Sequence, residues 1–323
     1  MGNNAYMPAG ATRLQPSPQD FRPNRELRPV LRWAGGKRQL LERLHSVFPQ
    51  NFNLHDNSFY EPFIGGGALT FSLASEKFGS PENRQLRRNQ IFIGDQNPLL
   101  VNLYQTIRDD VEGLITTLKS AKFSPSEETY YKIRNSKSYR SKTEDAARFI
   151  FLNRLCFNGL YRVNSSGEFN VPYGRLKNPT VCDEPLLRSM SHFLQHVTIE
   201  HGSFEETTSS AASGDLVYFD PPYIPLSSTS SFTRYDVSDF TDLDHCELMN
   251  CIRRLVERGV HVILSNSFTE RTIDIYGTGE LNLYSISVNR SISASSESRQ
   301  RTTEVIGVSF PINTPNGLTK IRH

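Results

Sequence analysis

The segment Leu216-Val217-Tyr218-Phe219-Asp220-Pro221-Pro222-Tyr223 constrains this chain more than any other. Its first four residues are apolar, with β-branched and aromatic members, and read as a buried strand. Two prolines then end it: they donate no backbone hydrogen bond and hold φ fixed, so no regular element runs through them. The chain must turn at a carboxylate on the carboxyl edge of a sheet, where α/β proteins bind ligands. Asp220, the carbonyls of Pro221 and Pro222 and the flat ring of Tyr223 suit a planar amino group such as adenine N6 or cytosine N4. A plain polar turn closing a strand would use the same residues, and this segment alone leaves both readings open.

Two other segments weigh on the choice. In Phe59-Tyr60-Glu61-Pro62-Phe63-Ile64-Gly65-Gly66-Gly67-Ala68-Leu69 a short strand runs into a glycine cluster and then an apolar helical stretch. Glycines let backbone amides approach a ligand closely, and a following helix N-terminus adds positive potential. The spacing is not the G-x-G-x-x-G dinucleotide fingerprint, which argues against a dehydrogenase. Ile91-Phe92-Ile93-Gly94-Asp95 is a strand ending in an acid, the place where nucleotide-binding α/β folds hold ribose hydroxyls. Asp95 lies further beyond Gly67 than the fingerprint's roughly 20 residues, and the polar stretch 75–90 accounts for this as a loop insertion. Upstream, Leu31-Arg32-Trp33-Ala34-Gly35-Gly36-Lys37-Arg38 holds the sole tryptophan and precedes a helix expected from Lys37 to Phe48, stopped by Pro49. It reads either as a glycine turn or as an aromatic and a cation lining a pocket.

The order of these motifs resembles the Dam-type DNA adenine-N6 methyltransferases, the D12 class of the alpha group. The middle of the chain carries the same likeness in Phe157-Asn158-Gly159-Leu160-Tyr161-Arg162-Val163-Asn164 and Gly167-Glu168-Phe169-Asn170-Val171-Pro172-Tyr173-Gly174-Arg175. The likeness runs from about Leu31 to Phe310. It implies S-adenosylmethionine as methyl donor, S-adenosylhomocysteine as product, no metal, and double-stranded DNA as partner, with GATC as the target. It implies a seven-stranded mixed sheet with one antiparallel strand and helices on both faces. The catalytic part would comprise 28–102 plus 197–323, with a mostly helical target-recognition domain inserted at 103–196. Asp220, Pro221, Pro222 and Tyr223 match the catalytic motif. Trp33, Ala34, Lys37, Phe63, Gly65, Gly67, Asp95 and again Asp220 match donor-binding positions. Phe157 matches an aromatic that enters the duplex beside a flipped base, and Arg162 an arginine that reads guanine. Asn158, Leu160 and Pro172 match other base-contacting positions, and Arg32 and Arg175 read as backbone or flank contacts. Two departures stand out: Leu176 replaces a tyrosine that would touch a phosphate, and the loop 289–303 is Ser-rich around Arg290, Arg299 and Arg301. An RNA or cytosine-N4 methyltransferase, or a silent DNA-binding relative, stays open at this point.

Composition adds little. The 323 residues carry a net charge of +2, so any DNA surface must come from local clustering. Cys156, Cys182, Cys246 and Cys251 have no C-x-x-C spacing, which points to neither zinc nor a disulfide framework. No apolar run approaches a membrane span and no signal peptide is visible, so a cytoplasmic protein is expected; a monomer is expected because a single flipped base needs only one active site. Residues 1–27 are rich in Asn, Pro, Gln and Arg and are expected to be loose. Nothing in the residues speaks of a partner endonuclease.

The remaining periodicity gives alternating strands and helices, hence α/β. Leu99 to Leu118 recur at helical spacing, and Ala146–Leu155 predicts a helix leading into the Asn158-Gly159 turn. Strands are expected at Val197-Thr198-Ile199 and Val260–Leu264, with a helix ending at Gly259 between Leu216 and the latter. Leu281–Val288 and Glu304–Phe310 read as a closing antiparallel pair.

Overall fold

The computed structural model describes residues 27–33, 37–74, 90–136, 141–226, 240–289, 301–313 and 317–321. In chain order the helices are α1 (Leu41–Ser46), α2 (Ala68–Leu73), α3 (Pro98–Asp109), α4 (Val111–Lys119), α5 (Glu127–Asn135), α6 (Lys142–Leu155), α7 (Glu184–Leu194), α8 (Phe204–Thr207), α9 (Asp242–Glu257) and α10 (Glu270–Tyr276). The strands are β1 (Phe59–Glu61), β2 (Ile91–Asp95), β3 (Val197–His201), β4 (Leu216–Phe219), β5 (His261–Ser267), β6 (Asn282–Asn289), β7 (Arg301–Val308) and β8 (Leu318–Lys320).

These strands form one mixed sheet in the order β3-β2-β1-β4-β5-β7-β6-β8. β1 to β5 are mutually parallel, while β7 runs antiparallel to both β5 and β6, and β8 antiparallel to β6. The expected seven strands are thus eight among the described residues. The added one, β8, is a three-residue strand of which only Leu318 is buried, too short to show a period. The expected closing pair forms as β6 and β7, and takes Asn289 and 301–303 from the expected loop; residues 290–300, with Arg290 and Arg299, lie outside the described ones.

Side chains of β4 alternate between two apolar cores. Leu216 and Tyr218 join the cluster built with α3, α6 and α7, whereas Val217 and Phe219 join the one built with α9. A strand covered on both faces must be apolar throughout, which is why the run at 216–219 is uninterrupted. The first cluster is continuous from the sheet through the helical segment, and Leu27 is buried within it. The helix expected from Lys37 to Phe48 is a 3-10 turn at Lys37–Gln39 followed by α1. The periodic stretch from Leu99 to Leu118 is two helices, because Asp110 leaves the helical region at φ −144° and caps α4 by accepting from the Gly113 amide. α9 ends at Gly259, with φ 80°, as its position requires.

From β1 the chain proceeds to β2 and β3 on one side, then returns to lay β4 on the other. The carboxyl ends of β1 and β4 therefore flank the switch point of the sheet, the crevice in which open α/β sheets take ligands.

Candidate active site at the carboxyl edge of the sheet

The glycine loop after β1 is pinned from several directions. Its Gly65 amide donates to Asp95 at the end of β2 (3.2 Å), and the Tyr104 hydroxyl of α3 donates to the Gly65 carbonyl (2.7 Å). The indole of Trp33 lies so close that a Cβ on Gly65 would fall 2.8 Å from it. Gly67 has φ 69°, and a Cβ there would meet Phe71 at 2.4 Å, so only glycine fits. Gly67 stands at the N-cap of α2 without a side chain to cap it. Glu61 of β1 takes that duty, accepting from both the amide and the hydroxyl of Thr70. Burial pushes the Glu61 carboxyl up to about 8. Asp95 accepts also from the Asn97 amide (2.9 Å), and burial raises its carboxyl to about 6. The glycine loop is thus packed directly against Trp33 and Phe71, with the Asp95 carboxylate at its border.

At the end of β4, Asp220 Oδ1 lies 2.9 Å from the buried Lys37 ammonium and accepts from the Ser265 hydroxyl of β5 at 2.8 Å. The Lys37 ammonium also sits over the Tyr223 ring, 4.4 Å from its centre. Tyr223 donates to Glu304 of β7 (2.7 Å), and burial with the carboxylates of Asp220 and Glu304 holds its phenol well above the usual range. The following Ile224 amide donates to Asn266, which fixes the exit of the proline corner. Phe63 packs on the other face of the sheet, between Phe204, Phe219 and Phe240.

A second group of residues surrounds the end of α6. Asn153, fully buried, accepts from the Arg32 amide (2.8 Å) and donates to the carbonyls of Arg32 (2.8 Å) and Gly159 (3.2 Å). Trp33 stacks on Tyr161 at 5.3 Å between ring centres. The intervening turn exposes Phe157, 45% accessible, and holds Asn158 at φ 55°. Beyond it the chain folds back on itself, with bridges Val163–Phe169 and Cys156–Tyr173 and a tip at Asn164–Gly167. Within this hairpin Arg162 Nε donates to Asn170 Oδ1 (2.7 Å).

A family model described as the D12 class N6 adenine-specific DNA methyltransferase matches residues 33–292. The chain belongs to this family. The Type II methyltransferase M1.LlaDCHI of Lactococcus lactis subsp. cremoris is 41% identical over 291 residues, covering 88% of this chain and 96% of its own. M.MjaIII of Methanocaldococcus jannaschii, also a Type II methyltransferase, is 40% identical over 264 residues, 78% and 87% of the two chains. The DNA adenine methylase of Haemophilus influenzae is 31% identical over 301 residues, 91% and 98%.

In this methyltransferase most of the expected site residues fall into two groups, and Phe63, on the other face of the sheet, joins neither. Lys37 touches both Asp220 and Tyr223, and Trp33, Gly65 and Asp95 meet around the glycine loop. Phe157, Asn158, Leu160, Arg162, Pro172 and Arg175 lie on or beside the hairpin, with the Phe157 amide donating to the Pro172 carbonyl. Ala34 lies outside the described residues. Sequence reasoning gave no role to Glu61, Tyr104, Asn153, Ser265 or Glu304. Signals for some existed: Glu61 is an acid inside a strand, Asn153 a polar residue in an apolar helical run, and Ser265-Asn266-Ser267 a polar triplet ending an apolar strand. Among the described residues no group of His, Cys, Asp and Glu could hold a metal, and no helix is long and apolar enough to cross a membrane.

Proposed function

We propose that the protein methylates adenine N6 in duplex DNA at GATC, with the target base flipped out of the helix. The observation that carries this reading is the meeting of Asp220, Lys37 and Tyr223 beside the glycine loop, at the switch point of the sheet. When bound, S-adenosylmethionine supplies a methyl group on a positively charged sulfur and leaves as S-adenosylhomocysteine. Trp33, Ala34, Lys37, Phe63, Gly65, Gly67, Asp95 and Asp220 would hold it, with Asp95 on the ribose hydroxyls. The donor set fits such a group: the Asp95 carboxylate beside the loop can accept from ribose hydroxyls, and the loop presents backbone without side chains at Gly65, Gly66 and Gly67.

The amino nitrogen of adenine is a poor nucleophile because its lone pair is delocalised into the ring. Asp220 and the Pro221 carbonyl accept hydrogen bonds from its two N–H groups, which favours a pyramidal nitrogen with an available lone pair. Pro222 keeps this corner rigid. The nitrogen sheds one proton as it gains the methyl, and the Asp220 carboxylate receives it. Positioning supplies much of the acceleration, with reacting atoms held about 3–3.5 Å apart. A base inside a duplex cannot reach this crevice, so it is extruded. Tyr223 stacks on it, a contact worth roughly 1–3 kcal/mol, and the exposed Phe157 enters the space left behind.

The hairpin reads the site. Asn170 engages Arg162 through Nε at 2.7 Å and Nη2 at 3.5 Å, which orients the planar fork. The Nη1–Nη2 end is then the edge that meets guanine O6 and N7, worth roughly 1–3 kcal/mol of discrimination. Asn158, Leu160 and Pro172 supply further base contacts, and Arg32 and Arg175 flank contacts. Residues 103–196 act as the recognition domain of a monomer whose catalytic part is 28–102 plus 197–323.

The test is methyl transfer from labelled S-adenosylmethionine to three duplexes: one with GATC, one with its adenine replaced by a base that cannot be methylated, one with its first guanine changed. Label in the first alone, as N6-methyladenine, supports the reading. Equal label in the first and third sinks GATC, and label in none sinks the assigned reaction.

A further inference from the structure

Asp220 is held from one side. Its Oδ1 takes the hydrogen bond of Ser265 at 2.8 Å and the ion pair of Lys37 at 2.9 Å. Among the described residues, both partners of the carboxylate fall on this one oxygen. Ser265 is fully buried on β5, the strand paired with β4. Its hydroxyl oxygen lies 2.8 Å from the hydroxyl of Tyr218, which is also buried and shares the face of β4 that carries Asp220.

The direction of these bonds follows from chemistry. An ionised carboxylate only accepts, so Ser265 donates to Asp220. The Ser265 proton is then committed, so its oxygen accepts from Tyr218. Burial, with the Asp220 charge nearby, pushes the Tyr218 phenol well above its usual range, which keeps it a donor. Two hydroxyls thus point their protons along one line toward Oδ1, and bonds in such a chain polarise one another. The terminal torsion of an aspartate is otherwise broad and roughly two-fold.

We propose that Ser265 is a positioning residue for the methyl transfer. With Lys37 it fixes Oδ1 of Asp220, and so leaves Oδ2 as the oxygen that receives the amino group of the target base; Tyr218 holds the Ser265 hydroxyl in line. This rests on the reading of Asp220 as the acceptor for adenine N6. An acceptor free to swing would misalign the nitrogen, and displacements of about 1 Å cost on the order of 10²-fold in rate.

The experiment compares the wild type with Ser265→Ala, Ser265→Thr, Tyr218→Phe and the Ser265→Ala/Tyr218→Phe pair. Each is measured in single-turnover methyl transfer to the duplex that the wild type methylates. Binding of S-adenosylmethionine and of that duplex is followed by calorimetry, and thermal midpoints are recorded. Ser265→Ala should lower the single-turnover constant about 10- to 100-fold, the worth of one hydrogen bond to a charged group. Both dissociation constants should stay within about threefold, since the contact matters for the reacting geometry rather than for binding. Ser265→Thr, which keeps the hydroxyl, should recover most of the rate. Tyr218→Phe should cost less, and should cost nothing further in the Ser265→Ala background, because it acts through Ser265. An unchanged rate in Ser265→Ala, or a loss carried wholly by the dissociation constants, overturns the proposal. So does a rate loss in Ser265→Thr equal to that in Ser265→Ala. Should Ser265→Ala not fold, Tyr218→Phe decides alone: an undiminished rate overturns the proposal. A wild type that leaves adenine unlabelled refutes the assigned reaction itself, an outcome separate from all of these.

Discussion

Replacing Glu61 by Gln is expected to change how the stability of the protein depends on pH. Glu61 is 3% accessible and accepts from the amide and hydroxyl of Thr70 at the start of α2. Its carboxyl is pushed by burial from 4.5 up to about 8. In the unfolded chain it ionises near its ordinary value, so between the two values the folded state holds a proton that the unfolded state has lost. The stability associated with the protonated acid is therefore fully present below about 4.5, and is lost as pH rises toward 8. The loss runs at about 1.4 kcal/mol per pH unit, and over the whole interval reaches about 5 kcal/mol. Glutamine resembles the protonated acid: its carbonyl can accept from Thr70, and it carries no charge to bury. Urea unfolding of both proteins at pH 5, 6.5 and 8 gives the comparison, and the difference between them removes the titration of groups that do not interact with Glu61. Glu61→Gln should gain on the wild type by several kcal/mol between pH 5 and 8. A difference that stays constant across that range would show that Glu61 is ionised in the folded protein, and the assignment of a neutral acid beneath the glycine loop would be wrong.

Three further outcomes are expected. Gly67→Ala forces a positive φ and a clash with Phe71; it should cost about 2–4 kcal/mol in urea unfolding, and an unchanged midpoint would refute the packing described. Asn153→Ala strips partners from the Arg32 and Gly159 backbone; it should cost about 1–3 kcal/mol, read as a fall in thermal midpoint. If Asp95 holds the donor's ribose as an anion, S-adenosylmethionine affinity measured by calorimetry should weaken as pH falls through about 6, and Asp95→Asn should abolish that dependence; a wild-type affinity flat from pH 5 to 7.5 would remove Asp95 from the role.

Much of the sheet was legible in the sequence because buried parallel strands are written as apolar runs. Ile91–Asp95 and Leu216–Phe219 appear in the fold with the bounds their residues suggest. β5 runs on to Ser267, past the last apolar residue, because its polar end is paired with β7 rather than exposed. Periodicity cannot reveal this, since the pairing partner lies far along the chain. The break between α3 and α4 was written in Asp110, but a single capping side chain is a weak signal against a continuing helical period. At the site, the residues that point into the crevice were legible as motifs: Asp220, Tyr223, Gly65, Asp95. Those that hold them were not. Ser265 reaches Asp220 across 45 residues, Glu304 reaches Tyr223 across 81, and Asn153 reaches Arg32 across 121. Such contacts are set by strand order and helix packing, which no local pattern records.

Trp33 touches both halves of the molecule: its indole packs against Gly65 on the side of the glycine loop and against Tyr161 and Phe149 on the side of the hairpin. Its backbone neighbour Arg32 is clasped by Asn153. One side chain thus forms a shared wall between the glycine loop and the hairpin. If the loop takes the donor and the hairpin the DNA, as proposed, any coupling carried by this wall is mutual by thermodynamic linkage: donor and DNA must change each other's affinity by the same factor. The sole tryptophan of the chain thus borders both sides, and its fluorescence is a natural place to watch either one.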